Sequence, residues 1–272
     1  MMARALATNG ARRIYICGRR LSKLQEAASS HPSILIPVEC DVTSKDSLAS
    51  LASQVEREVG FVHLVIANSG ISGPGVAELP SDAKESAKKL QAAIWDKWSA
   101  EEFTRTFEVN VTAAFFTAIA FLSLLDEGNK GENKVNGVQS QVVITGSIAS
   151  FIRLVVSGFA YVSSKAAVVH MMKALATYLA PFGIRVNAIC PGFFKSEMTA
   201  DVLPKMAMAM TGTPDKFNGT FCPAERAGEG NYLITNLHKF RANQNLRARY
   251  GWDYTVSREQ SWCVSKWVSY YC

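Results

Sequence analysis

The chain alternates short apolar runs of strand length with longer stretches whose apolar positions recur every three to four residues. Met1 to Asn9 has the helical period, and Gly10 follows as its C-terminal cap. Arg13 to Cys17 and Ile34 to Val38 predict strands, with a helix over Leu21 to Ser29 between them. Thr43-Ser-Lys-Asp46 has the form of a capping box and opens a helix that runs to Val59 and stops at Gly60. His63 to Ala67 is an apolar strand, and Ile71 to Pro80 is a loop rich in Gly and Pro. Helices are predicted over Ser81 to Trp98 and, as one long unit, over Glu101 to Leu125; Asp126 to Ser140 is a polar loop. Gln141 to Thr145 reads as a strand and Ala160 to Leu179 as a helix ending near Pro181 and Gly183. Arg185 to Cys190 is a strand closed by Pro191-Gly192. This alternation predicts an α/β fold, a doubly wound parallel sheet with helices on both faces. No internal repeat is visible.

Beyond Gly228 the periodicity fades. The tail Glu229 to Cys272 is rich in Tyr, Arg, Asn and Gln and holds Trp252, Trp262 and Trp267. Its six Lys/Arg against three acids give +3, half of the chain's net charge of +6. The pattern assigns it no fold, so the chain divides into an α/β domain over 1–228 and a tail over 229–272.

Composition narrows the function. The chain has 272 residues, 48% hydrophobic and 19% charged, and its mean hydropathy is +0.05. That is ample for a core and argues against global disorder. The balance is mildly basic, with a pI of about 9.0, but without a dense Lys/Arg block, so no nucleic-acid partner is expected. A basic soluble protein and a basic pocket for a phosphorylated cofactor both fit it. The longest apolar stretch, Val111 to Leu125, contains Thr112, Thr117 and Ser123 and falls short of the ~20 residues of a membrane span. It reads as a core helix, and no membrane partner is expected. None of the six cysteines forms a Cys-x-x-Cys pair, and Cys17 and Cys190 sit in strand runs as buried thiols. A reducing, cytoplasmic setting follows, with no N-terminal signal sequence visible. His31, His63, His170 and His238 lack metal-ligand spacing, so no metal is expected.

The candidate chemistry is Tyr161-Val-Ser-Ser-Lys165 with Ser147 upstream. A Tyr and a Lys four apart share a face of any helix and by themselves say little. Their context says more: Ser147 follows a buried strand, the Tyr–Lys pair opens the next helix, and ligands of open α/β sheets sit at the carboxyl ends of strands. Asn68 and Pro191-Gly192 fall at such ends as well. A phenol, with an ordinary pKa of about 10, is a poor acid/base near neutrality unless a neighbouring cation favours the phenolate. Lys165, one turn on, supplies such a cation. Asn110 is polar within a strongly apolar helix and reads either as a satisfied core residue or as a functional one.

With these motifs on the page, the chain resembles the short-chain dehydrogenase/reductase family. The resemblance rests on Asp41-Val42, Asn68-Ser-Gly70, Asn110, Ser147, Tyr161-x-x-x-Lys165 and Pro191-Gly192-Phe-Phe-Lys-Ser196, in that order, and covers Met1 to Gly228. Within the family it is most similar to carbonyl reductases of the 3-oxoacyl-carrier-protein reductase type, especially fungal ones. The resemblance implies an oxidoreductase acting on a carbonyl or alcohol of a small organic or acyl substrate, with a place in fungal secondary metabolism. Asn110, Ser147, Tyr161 and Lys165 would be catalytic, Ser147 bonding the carbonyl oxygen and Asn110 supporting a water that links Lys165 to solvent. Tyr161 and Lys165 would also bind cofactor, together with Asp41 and Val42 at the adenine, Asn68, Gly70, Pro191 and Gly192 near it, and Phe194 and Ser196 at the carboxamide. Where NAD-preferring members carry an acid after the second strand, this chain has Gly18-Arg19-Arg20. Arg19 is then placed to clamp a 2′-phosphate, which favours NADP(H); the plainer reading is that Arg19 and Arg20 solvate a helix start. A homodimer or homotetramer would form through helices 101–125 and 160–179. Met198, Met206, Met208 and Met210 follow the Pro-Gly turn and read equally as a pocket wall and as core packing.

Two departures from the family stand out. Its opening strand and Thr-Gly-x-x-x-Gly-x-Gly phosphate loop are missing from this chain, and Met1 to Ala7 matches the helix that follows that loop. That strand lies mid-sheet, so its neighbours are expected to lack a shared partner. After Pro223 to Gly228 the tail shows neither the family's last strand nor its Asp-Gly-Gly. Both ends resemble a gene model that starts late and reads through a junction. The chain is accordingly expected to bind NADP(H) poorly, and a non-catalytic homologue serving as a partner subunit is the alternative function.

Overall fold

The computed structural model describes residues 1–213, except 77, 78, 136, 154, 156, 195, 197, 198 and 201, and gives no side-chain account of 202, 205, 206, 209 and 210. The Pro223–Gly228 segment, the tail 229–272 and Met198 lie outside the described residues.

Five strands run in parallel: β1 (Ile14–Gly18), β2 (Leu35–Glu39), β3 (Leu64–Ala67), β4 (Gln141–Thr145) and β5 (Arg185–Ile189). They form two sheets. β1 pairs with β2, with Ile14 opposite Leu35, and β3, β4 and β5 pair in that order, with Val142 opposite Val65 and Val186. Among the described residues no strand bridges β1 to β3.

Nine α-helices are described: α1 (Met2–Thr8), α2 (Leu21–Ala28), α3 (Lys45–Glu58), α4 (Ala87–Lys97), α5 (Ala100–Phe107), α6 (Ala113–Ala120), α7 (Leu122–Glu127), α8 (Phe159–Leu179) and α9 (Val202–Thr211). The strand period of two explains their placement. On β1, Ile14 and Ile16 pack with Ala7 of α1, Ala28 of α2 and Leu35, whereas Tyr15 and Cys17 face the larger core. That core gathers Leu48, Leu51 and Val55 of α3, Val65 and Ala67 of β3, Ala114 and Ala118 of α6, Val142 and Ile144 of β4, and Val168, Met172 and Leu175 of α8. Burying each of these larger side chains contributes about 1.5–3 kcal/mol. Tyr15 is further tied across to α3 by its phenol, which donates to Glu58 Oε2 at 2.7 Å.

Several local expectations change. Ser44, and not Thr43, caps α3: its Oγ accepts the Ser47 N–H at 3.2 Å, while the Thr43 hydroxyl turns back to Asp41 Oδ1 at 2.7 Å. A complete capping box lies instead at α5, where Ser99 and Glu102 bond each other's backbone N–H groups. The Ser81–Trp98 segment divides at Ser86, whose side chain caps α4. The long helix expected over Glu101–Leu125 is interrupted by a π-turn at Glu108–Thr112 and again at Phe121. α9 was not anticipated; it buries Leu203 and Ala207 and leaves Met208 half exposed.

Candidate active site

The carboxyl ends of β3, β4 and β5 meet side by side, because the three strands are parallel and in register. Thr145 Oγ1, at the end of β4, donates to Asn68 Oδ1 beyond β3 at 3.0 Å. On the other side the Gly146 N–H donates to the Ile189 carbonyl at 2.8 Å, and the Ile148 N–H to the Pro191 carbonyl at 2.9 Å. Ser147 is held in extended backbone between these two bonds and is 9% exposed. Its Oγ accepts the Ala149 N–H at 3.1 Å, which leaves its own O–H to donate outward.

Tyr161 and Lys165 enter from the first turns of α8. The helix begins after Gly158, whose φ of +132° and contact with the Pro74 carbonyl leave no room for a Cβ. Burial pushes the Tyr161 phenol pKa up, while the nearby Ser147 side chain works in the opposite direction. Lys165 is 4% exposed. Its Nζ donates to the Thr145 carbonyl at 2.8 Å and stands 5.8 Å from the centre of the Tyr161 ring. Burial pulls its pKa from 10.5 down to about 8. In this geometry the ammonium is spent on a backbone carbonyl and does not depress the phenol. Ser147, Tyr161 and Lys165 nonetheless converge on one place.

Asn110 sits in the π-turn, a distortion that often marks functional positions. Its Oδ1 accepts the Ile71 N–H at 2.8 Å, and its Nδ2 donates to the Ile71 carbonyl and to Ser164 Oγ, both at 2.9 Å. Ser164 in turn donates to the Tyr161 carbonyl at 2.8 Å. Asn110 therefore pins the loop after β3 to the first turn of α8. A Cβ on Gly70 would lie 3.1 Å from Asn110 Oδ1 and 3.5 Å from Lys165 Nζ, so the glycine backbone lies close against both side chains. Ser164 was not singled out from the sequence, although it lies within the Tyr–Lys spacing.

The remaining candidates lie at the ends of β1, β2 and β5. Arg19 is exposed and near enough to Asp41 to help lower its carboxyl pKa, although the bonds from Thr43 dominate that shift. Val42 lines a cavity of about 160 Å³ with Thr43, Lys45, Thr112 and Phe116, next to the π-turn that carries Asn110. This links the ends of the β1–β2 sheet to the catalytic side. Gly192 is exposed with open space about it. The Phe194 carbonyl and the Ser196 N–H are both bound by Thr199 Oγ1, at 2.6 and 2.9 Å, which fixes the turn that presents them. A surface depression of about 600 Å³ around Pro80, Ala83, Lys89 and Asp96 contains none of these residues. Among the described residues no helix is long and apolar enough to cross a membrane, and no three His, Cys, Asp or Glu group together to hold a metal ion.

The residues present at the ends of β3 and β4 fit a nicotinamide cofactor: a hydroxyl, a phenol and a buried ammonium lie beside the close backbone approach at Gly70. No glycine-rich cradle for the pyrophosphate occurs among the described residues.

Comparison with known proteins identifies the family. The family described as short chain dehydrogenase matches residues 1–207. The chain is 40% identical over 238 residues to the short-chain dehydrogenase/reductase SAT3 of Stachybotrys chartarum, covering 84% of this chain and 86% of that protein. It is 39% identical over 249 residues to VdtF, a short-chain dehydrogenase/reductase of Byssochlamys spectabilis, covering 84% and 78%. Among solved structures, a short-chain type dehydrogenase/reductase from Mycobacterium marinum superposes with a TM-score of 0.63 at 27% identity, covering 88% of this chain and 81% of the other. The Pseudomonas aeruginosa RhlG/NADP active-site complex shares the fold at the same TM-score, with 20% identity and 86% and 82% coverage. By its match over residues 1–207 and its 40% identity to a fungal member, the chain belongs to the short-chain dehydrogenase/reductase family of oxidoreductases.

Proposed function

We propose that the protein is an NADP(H)-dependent reductase of a carbonyl on a small organic or acyl substrate. The observation that carries this reading is the convergence of Ser147, Tyr161 and Lys165 at the ends of β4 and β5. The Ser147 O–H, its acceptor side occupied by Ala149, bonds the carbonyl oxygen and stabilises the charge that develops there. The nicotinamide, when bound, supplies the hydride. The Tyr161 O–H supplies the proton; burial keeps the phenol protonated at neutral pH, the state a reduction needs. Lys165, charged below about pH 8, stands 5.8 Å from the centre of the Tyr161 ring and would hold a ribose hydroxyl of the cofactor. Asn110 holds the loop and helix that carry these groups.

The choice of NADP(H) rests on Gly18 and Arg19: no carboxylate stands at the end of β1 to repel a 2′-phosphate, and the Arg19 guanidinium is exposed there. The relatives from Stachybotrys and Byssochlamys support a place in fungal secondary metabolism. A homodimer or homotetramer is supported by an apolar stripe of Phe103, Phe107, Val111, Phe115 and Ile119 at helical spacing, partly exposed along α5 and α6, and by Tyr178, 78% exposed on α8. The domain assignment stands as a reductase domain over 1–228 with an appended tail over 229–272, and the location as cytoplasmic.

A second reading, a non-catalytic homologue that partners an intact subunit, is favoured by the split sheet and the lack of a phosphate cradle among the described residues. NADPH titration followed by ketone-dependent oxidation of NADPH separates the two. The first reading expects turnover that Tyr161→Phe abolishes without unfolding; a folded chain that neither binds NADPH nor oxidises it supports the second. Under the first reading, Arg19→Glu raises the KM for NADPH about tenfold or more with little change for NADH; an unchanged NADPH/NADH ratio removes Arg19 from the site.

A further inference from the structure

The turn that carries Ser147 is tied to α8 by one residue. Beyond β4 the backbone closes a single 3-10 turn at Ile148–Ser150. Ser150 uses both of its donors there. Its N–H donates to the Ser147 carbonyl at 3.0 Å, and its Oγ–H donates to the Lys165 carbonyl at 2.8 Å. The Lys165 carbonyl lies inside α8, where the helix ladder brings it the Val169 amide and leaves its second lone pair for the hydroxyl. A path two hydrogen bonds long therefore runs from the backbone of Ser147 to the backbone of Lys165. A second path joins the same regions, because the Lys165 ammonium donates to the Thr145 carbonyl at 2.8 Å. Apolar packing adds little: the large side chains of the turn, Ile148 and Phe151, are both exposed. Two further bonds fix its start, from the Ile148 N–H to the Pro191 carbonyl at 2.9 Å and from the Ala149 N–H to Ser147 Oγ at 3.1 Å.

We infer that Ser150 is a positioning residue of this site: its hydroxyl locks the turn that presents Ser147 to the backbone of Lys165, and so sets the Ser147 hydroxyl in its place relative to Tyr161 and Lys165. The inference rests on the catalytic reading of those three residues given above. The bond runs to a helix carbonyl and not to a side chain, so the turn is registered against the rigid part of α8, independently of where the Lys165 ammonium points.

Ser150→Val and Ser150→Thr form a pair of equal shape that differs by the hydroxyl; Ser150→Ala removes the hydroxyl with the least bulk. Amide hydrogen exchange of the full chain without cofactor reads the hold on the turn. In Ala and Val the amides of Ile148, Ala149 and Ser150 are expected to exchange about fivefold faster or more, the loss of one hydrogen bond, while Val143 and Ile144 within β4 keep their rates. Thr is expected to stay near the unmodified protein. Turnover with NADPH and a ketone reads the consequence. Ala and Val are expected to lower kcat about tenfold with KM for NADPH unchanged, and Thr to keep kcat within about twofold of the unmodified protein. Unchanged exchange in a folded Ala or Val variant overturns the inference, as does a Val variant with full kcat. A KM for NADPH that rises as kcat falls, or failure of both Ala and Val to fold, overturns it too, because the hydroxyl then serves general stability. Exchange needs no cofactor, so a chain that reduces no ketone fails the functional reading, while the hold of Ser150 on the turn still stands or falls on its own.

Discussion

Replacing Lys165 by Met tests the cost of keeping an ammonium at the bottom of this site. The side chain is 4% exposed, and burial lowers its pKa from 10.5 to about 8. In the unfolded chain the amine keeps its ordinary value. At ~1.4 kcal/mol per pH unit, the buried charge therefore opposes folding by ~3 kcal/mol at pH 7. Met has similar length and no charge, so Lys165→Met relieves that opposition. It also forfeits the 2.8 Å bond to the Thr145 carbonyl, a charged bond contributing about 1.5–3 kcal/mol. The net change at pH 7 is expected to lie between neutrality and ~2 kcal/mol of added stability, with catalysis lost. The sharper signal is its pH dependence. A group whose folded pKa lies below its unfolded pKa makes stability rise with pH between the two, because the unfolded chain binds the extra proton. Between about pH 8 and 10.5 the unmodified protein should thus gain ~3 kcal/mol relative to Lys165→Met. Urea denaturation of both proteins at pH 7, 8, 9 and 10 measures this, and other titrations cancel in the difference. A difference that stays flat across the series refutes the burial argument.

Two further substitutions probe the scaffold. Asn110→Ala leaves both backbone groups of Ile71 without their partners and frees the Ser164 side of the first turn of α8; a loss of about 2–4 kcal/mol is expected from urea midpoints, and a loss under 1 kcal/mol would show that water replaces the amide readily. Gly158→Ala places a methyl against the Pro74 carbonyl at a φ of +132°; destabilisation of about 2 kcal/mol or more is expected by thermal unfolding, together with a fall in any Tyr161-dependent turnover, and an unchanged melting temperature would show that the loop yields.

Much of the site was legible because buried parallel strands are short apolar runs and their ends are marked by polar residues or Pro-Gly. Asn68, Ser147 and Pro191 could be placed at strand ends on that ground alone. The four-residue spacing placed Tyr161 and Lys165 on one face of α8. What failed was finer. The Thr43-x-x-Asp46 spacing matched a capping box, but Ser44 stands one residue closer to the helix and Asp41 captures the Thr43 hydroxyl. The largely apolar stretch from Val109 to Phe121 conceals a π-turn, because an extra residue in a helix turn changes the ladder without changing the side-chain types. The effect of Lys165 on the phenol was inferred from helix spacing, which does not reveal that the Thr145 carbonyl competes for the ammonium. Cys190 read as a buried strand thiol; it is half-buried, and its closeness to Gly146 depends on the register between β4 and β5, which a single sequence does not state.

The one-sided pairing of β1 divides its backbone into two populations. The Ile14 amide is bound to the Ile34 carbonyl, and the Gly18 carbonyl receives the Cys40 amide; the alternation of a parallel ladder then turns the even-numbered amides toward β2 and the amides of Tyr15 and Cys17 the other way. Those two have no ladder partner among the described residues. Deuterium uptake along five residues of one strand should therefore alternate, slow at positions 14, 16 and 18 and fast at 15 and 17, and a segment that settled beside them would erase that alternation.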